Sequence, residues 1–204
     1  NRYWFSPARI AVLHIDGAIV SGAGPLDLLL GGGVTDAATI TEEARRLGND
    51  GSIDGVIVRI DSPGGSAVAS DEIQHALQLL TEAKPVVVSM GDIAASGGYY
   101  VAAIDAPVYA SRSTLTGSIG VFAAFPTFEQ LLARGGVYTD GVASTPVAGG
   151  LRPDRPVDPA IANALQQGVE STYRRFLDLV AESRDLDPSA LEAVAEGRVL
   201  SARQ

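Results

Sequence analysis

Two apolar, β-branched runs each empty into a turn of small residues that opens a helix, and this doubled pattern restricts the fold more than any other feature. Residues 54–61 (Asp-Gly-Val-Ile-Val-Arg-Ile-Asp) lead into Ser62-Pro63-Gly64-Gly65-Ser66 and then an amphipathic stretch, 67–83, with Ile73, Leu77 and Leu80 on one face. Residues 85–90 (Pro-Val-Val-Val-Ser-Met) lead into Gly91-Asp92-Ile93-Ala94-Ala95-Ser96-Gly97-Gly98 and an alanine-rich segment from Tyr99. A third run, 9–16, precedes both. It shows little alternation, so it is expected to be a strand buried on both faces, with His14 a structural residue inside it. Strands alternating with helices define an α/β domain with a mainly parallel sheet, whose sites lie at the carboxyl ends of the strands.

The remaining elements follow from periodicity and caps. Residues 35–47 read as a helix with Ile40, Ala44 and Leu47 inward. Short strands are expected at 106–110 and 137–139, with a short helix at 125–133. Asp158-Pro159 opens a long helix to about Arg184, and Asp187-Pro188 opens another that ends at Gly197. Val199-Leu200 starts a further element, which suggests truncation soon after. No linker divides the chain, so residues 1–204 read as one domain: an arm (1–8), an α/β core (9–157) and C-terminal helices (158–204). The arm carries Tyr3, Trp4 and Phe5, and residues 17–33 form a loop rich in glycine and leucine; both suggest assembly contacts.

Composition removes several classes of function. A net charge of -9 leaves no basic stripe for nucleic acid. The absence of cysteine excludes disulfides, thiolate catalysis and cysteine zinc sites. No cofactor or metal is indicated, Gly31-Gly32-Gly33 lacks the Lys-Ser/Thr of a phosphate loop, and no apolar run is long enough to span a bilayer. Ser96 stands at a strand-to-helix turn, near the positive end of a helix dipole and beside unpaired N–H groups. Two roles are open to it there, a helix cap or a nucleophile. The two turns together could supply a glycine N–H, a serine hydroxyl and the N–H that follows it: a nucleophile with an oxyanion hole.

Four motifs, in order and with matching spacing, resemble the signal peptide peptidase A (SppA) family: Asp61-Ser62-Pro63-Gly64-Gly65-Ser66; Lys84 through Gly91; Ala94-Ala95-Ser96-Gly97-Gly98-Tyr99-Tyr100; and Ser113-Thr114-Leu115-Thr116-Gly117-Ser118-Ile119-Gly120. The likeness runs from about Arg9 to Gln204. It implies a ClpP/crotonase-like fold, with a parallel β-sheet flanked by helices and a C-terminal helical arm. It also implies a Ser-Lys endopeptidase that degrades cleaved signal peptides, from the bacterial cytoplasmic membrane with its catalytic domain on the outer side. By position, Ser96 matches the family's nucleophile, and Gly97 and Gly65 (Gly64 being the alternative) match its oxyanion donors. Ser118 matches the serine that hydrogen-bonds the lysine.

The lysine is the departure from that family. Lys84 is the chain's one lysine. It starts the strand that leads to Ser96, and at about 3.3 Å per residue it stands roughly 20 Å from the turn at Met90. Arginine stays protonated and cannot replace it. Short members of the family carry the lysine in the segment matching 140–153, which has none here. In long members the serine lies in the second half and the lysine in the first. This chain resembles such a second half. The resemblance implies a lysine-bearing N-terminal half as partner, a homo-oligomer (a tetramer in the long form), and inactivity of the chain alone. A ClpP-type triad would need a histidine after Ser96, and both histidines, His14 and His75, precede it. A crotonase-type acyl-CoA enzyme would need no nucleophilic serine. A non-catalytic scaffold would need no base.

Overall fold

A computed structural model describes residues 7–22, 24, 33–145 and 148–204. The aromatic arm at Tyr3 to Phe5 and most of the glycine-rich loop lie outside these residues. The chain divides into two compact units, residues 1–120 with 175–204, and residues 121–174.

The first unit is built on one sheet. Strand β1 (Ile10–Val20) pairs in parallel with β2 (Val34–Asp36) and β3 (Gly55–Gly65). Strand β4 (Val86–Ala95) pairs in parallel with β3, β5 (Val108–Tyr109) and β6 (Leu115–Gly117). Strand β7 (Val199–Ser201) closes the edge antiparallel to β6, so Val199-Leu200 does begin an element. The order is β2-β1-β3-β4-β6-β7, with β5 also on β4. The sheet is therefore mostly parallel and flanked by helices, as the alternation of runs requires.

Helix α1 (Ala37–Asn49) starts where the Asp36 side chain accepts from the Thr39 N–H, and it buries Ala37, Ile40, Ala44 and Leu47. Helix α2 (Ala67–Ala83) starts where the Ser66 side chain accepts from the Ala69 N–H, and it buries Ile73, Leu77 and Leu80. These faces meet Ile15, Val58, Ile60 and Val88 of the sheet, all fully buried. Each such side chain contributes about 1.5–3 kcal/mol relative to exposure.

The opposite face of β1 corrects the expectation of a strand buried on both sides. Burial alternates strictly through its first half: Leu13 and Ile15 are inside, while Ile10 (53%) and Val12 (51%) are exposed. His14 is on the open face as well, with its Nδ1 3.5 Å from the Asp16 carboxylate. It is a surface residue, not a core one.

The second unit holds α4 (Glu129–Arg134) and the first part of α5 (Pro159–Arg184); the last part of α5, from Arg175, belongs to the first unit. Residues 137–139 form no strand, because they pair with no other strand among the described residues. Instead Thr139 Oγ1 donates to the Asp154 carbonyl (2.9 Å) and the Phe128 N–H donates to the Pro153 carbonyl (2.7 Å). Helix α6 (Pro188–Glu192), capped by Asp187, stops well short of Gly197.

Candidate active site

Strand β4 ends at Ala95, Ser96 makes the turn, and α3 (Gly97–Val101) follows. Ser96 has φ 52 and ψ -121, a left-handed conformation that costs a non-glycine residue about 1–3 kcal/mol. It occupies the N-cap position, yet its side chain makes no capping hydrogen bond. The cap reading is thus not realised, and the hydroxyl is left available. The Ser96 N–H is used differently, donating to the Gly117 carbonyl at 2.9 Å. Helix α3 has only five residues, so it contributes little macrodipole. What it offers is the Gly97 N–H, which has no acceptor within the helix.

The second turn comes up against the first. A Cβ on Gly64 (φ +98) would stand 2.5 Å from the Gly97 nitrogen and 2.9 Å from the Ser96 Cβ. A Cβ on Gly97 would stand 3.2 Å from the Gly65 nitrogen and 2.4 Å from Ser70 Oγ. Glycine is required at both positions by this close approach. The Gly64 N–H donates to Ser62 Oγ (3.1 Å), and the next ladder bond runs from Ser66 N–H to the Ile19 carbonyl (2.8 Å). Of the two donors considered from sequence, Gly64 is therefore already engaged.

Ser118 joins this cluster through β6. Gly117 is paired in register with Ala95, and Ser118 follows it with φ 52, its N–H donating to the Arg198 carbonyl at 2.7 Å. The C-terminal segment thus fixes the serine that the motif singled out. Ser96, Gly97, Gly64, Gly65 and Ser118 all come together at the carboxyl ends of β3, β4 and β6.

Lys84 does not join them. Its Nζ donates to the Asp50 and Ile53 carbonyls, 2.7 Å each, at the start of β4. His14 pairs in register with Arg59, and Arg59 with Ser89, seven residues before Ser96. That is roughly 20 Å along the strand. His75 is exposed on α2.

Several supporting residues carried no signal beyond membership in a motif. Asp61 Oδ1 accepts from the Ile93 N–H (3.1 Å), and buried Thr114 donates to the Gly91 carbonyl (2.7 Å), so both hold the irregular middle of β4. Tyr100 donates to Asp71 (2.7 Å), and Arg175 Nε donates to the same carboxylate oxygen (2.8 Å). Burial is the largest influence on Asp71 and raises its pKa. The hydrogen bonds from Tyr100 and Arg175 outweigh it and hold the carboxyl below its usual value. Burial, then the bond to Asp71, pushes the Tyr100 phenol up to about 12. This brace ties α3, one turn beyond Ser96, to α2 and to the end of α5.

The family model for Peptidase family S49 matches residues 78–204. Protease 4 of Haemophilus influenzae is 38% identical over 194 residues, covering 95% of this chain and 30% of that protein. The chloroplastic serine protease SPPA of Arabidopsis thaliana is 37% identical over 192 residues, covering 94% of this chain and 28% of that protein. Among solved structures, a mutant of ClpP1 from Listeria monocytogenes superposes with a TM-score of 0.57 at 15% identity, covering 94% of this chain and 82% of that one. The fold is thus ClpP-like, and both of these sequence relatives are named as proteases. The chain belongs to peptidase family S49, and it spans about 30% of the length of the curated Protease 4 relative.

Proposed function

We propose that this chain carries the nucleophile and the oxyanion hole of a Ser-Lys peptidase whose lysine base comes from outside these 204 residues. The observation that carries the reading is the state of Ser96. Its backbone is held in a strained turn, its hydroxyl caps nothing, and the chain's one lysine is committed elsewhere. Ser96 Oγ attacks the scissile carbonyl while a neutral lysine amine takes its proton. The Gly97 and Gly65 N–H groups receive the negative charge on the carbonyl oxygen. The lysine then returns the proton to the departing amine, and water releases the acyl group by the same route. Ser118 orients that lysine. Burial among apolar side chains would keep the amine neutral.

The protein in this reading is the serine-bearing second half of a long SppA-type peptidase, assembled as a homo-oligomer. It acts on apolar peptides such as cleaved signal peptides at the outer side of the bacterial cytoplasmic membrane. The low coverage of the Protease 4 relative supports a longer parent chain. No helix among the described residues is long and apolar enough to cross a membrane, so any span would lie elsewhere. A second reading, a scaffold of protease fold, is favoured by the lack of a reachable base among the described residues.

Peptide hydrolysis separates the two. The isolated chain should be inactive, and adding the lysine-bearing half should give turnover that Ser96→Ala abolishes. Turnover by the isolated chain contradicts the shared site, and an inactive full-length protein establishes the scaffold.

A further inference from the structure

We infer that Ser62 is a positioning residue for the reaction, its hydroxyl holding the Gly64-Gly65 turn so that the Gly65 N–H faces the oxyanion. The inference rests on reading Ser96 as the nucleophile. Ser62 is fully buried. Its Oγ donates to the Gly17 carbonyl (2.6 Å) and accepts from the Gly64 N–H (3.1 Å). A hydroxyl has one proton, and Gly17 takes it, so the oxygen faces Gly64 only as an acceptor. The direction of both bonds is thereby fixed.

Ser62 also sits where the parts of the site meet. It is in register with Ala94, two residues before Ser96. A Cβ on Gly98 would stand 2.4 Å from the Ser62 carbonyl oxygen and 3.3 Å from the Ser62 Cβ, so α3 rests directly on this residue. Gly17 is the bend in β1 (φ +76), where the β1–β3 register shifts between Asp16 and Ala18. The Ser62 hydroxyl therefore links the bend of β1 to the donor turn at the end of β3, and the backbone and Cβ of the same residue support the helix that follows Ser96.

The need for such a link comes from the turn itself. Two adjacent glycines have the widest conformational freedom of any pair. Hydrogen-bonding the Gly64 N–H fixes the plane of the peptide that carries it and limits rotation of the next one, which carries the Gly65 N–H. Without the Ser62 hydroxyl, the Gly17 carbonyl and Gly64 N–H lose their partner, and the Gly64-Gly65 peptide is held only from the side of its ladder partners Ala18 and Ile19, which leaves the aim of the Gly65 N–H less tightly fixed. The loss would be felt where negative charge develops and not where substrate first binds.

The test uses the full-length protein with Ser62→Ala and Ser62→Cys, an apolar peptide substrate, and a peptide aldehyde. Ser96 Oγ bonds to the aldehyde carbon while its proton passes to the base, which leaves the aldehyde oxygen where the oxyanion would be. Rates are expressed per Ser96 site that reacts with a fluorophosphonate. Ser62→Ala should lower kcat about 10- to 100-fold and weaken aldehyde binding by a similar factor, with KM within about 2-fold. Ser62→Cys, with a poorer acceptor in nearly the same volume, should fall between the two. Unchanged kcat and aldehyde affinity per reactive site would overturn the inference and leave Ser62 a structural residue. So would a loss fully accounted for by fewer reactive sites. If Ser62→Ala does not fold, Ser62→Cys decides: lower kcat at constant KM supports the role, and wild-type kcat removes it. Ser96→Ala serves as control; activity in that variant defeats the nucleophile assignment itself, a result distinct from any behaviour of the Ser62 variants.

Discussion

The two units of this chain differ in how completely their polar groups are used. Around the site in the first unit, Ser62, Thr114 and Asp61 each hold a backbone group of a neighbouring strand or turn. In the second unit α4 buries no residue, and Phe122 (89%), Tyr138 (82%) and Val142 (104%) are exposed. Its ties include the Arg152–Asp154 ion pair, and buried side-chain atoms of Glu129 and Arg155 lack hydrogen-bond partners, against Thr41 Oγ1 alone among the described residues of the first unit. The difference shows where a demanding geometry can be stored. A serine at φ 52 persists only where its surroundings over-determine it, and the first unit supplies such surroundings.

The two units should respond in opposite ways to the same substitution. Gly97→Ala, at the tight approach of the two turns, should lower the activity of the full-length protein by at least about 100-fold. Its Cβ would lie 2.4 Å from Ser70 Oγ. Steady-state kinetics on apolar peptides checks this, and near-normal activity would mean that the turns are not packed as described. Thr114→Val leaves the Gly91 carbonyl and Ser111 N–H without their buried partner and should cost about 2 kcal/mol in urea unfolding. In the second unit, Gly168 lies within α5 with open space around it. Gly168→Ala should therefore stabilise, by up to about 1 kcal/mol, and a fall in Tm would contradict that.

The smallest effect concerns pH. The Tyr100 phenol, ordinarily at 10.0, is raised to about 12. A raised pKa stabilises the fold fully below pH 10 and loses that contribution as pH rises through about 12. Tyr100→Phe should flatten the fall of Tm over this window, and an unchanged slope would remove the Asp71–Tyr100–Arg175 brace from the account.

Elements set by local chemistry were legible in the sequence. The helix after Ser66 was legible at 67–83, whereas the one read from Thr35 begins at Ala37, where the Asp36 side chain caps it. The Ser96 turn was legible because few sequences place a strand, a tight turn of small residues and a helix in immediate succession. What depends on distant partners was not legible. Ile10 and Val12 have the composition of a buried strand, and residue type does not reveal that one face of β1 lies open. Val137 and Tyr138 suit a strand, but a strand also needs a neighbour to pair with. Arg175 reaches Asp71 across 104 positions, and no local pattern announces such a bond. Ser62 read only as part of a turn, because its two partners, Gly17 and Gly64, define it through space.

The claim that Ser96 is a nucleophile awaiting an external base is tested most directly by covalent labelling. A fluorophosphonate is applied to the full-length protein and to this chain alone, and the modified residue is located by peptide mass spectrometry. The account predicts an adduct on Ser96 in the full-length protein, none on the isolated chain, and recovery when the lysine-bearing half is added. Labelling of the isolated chain at the full-length rate, or an adduct on any other serine, would contradict it.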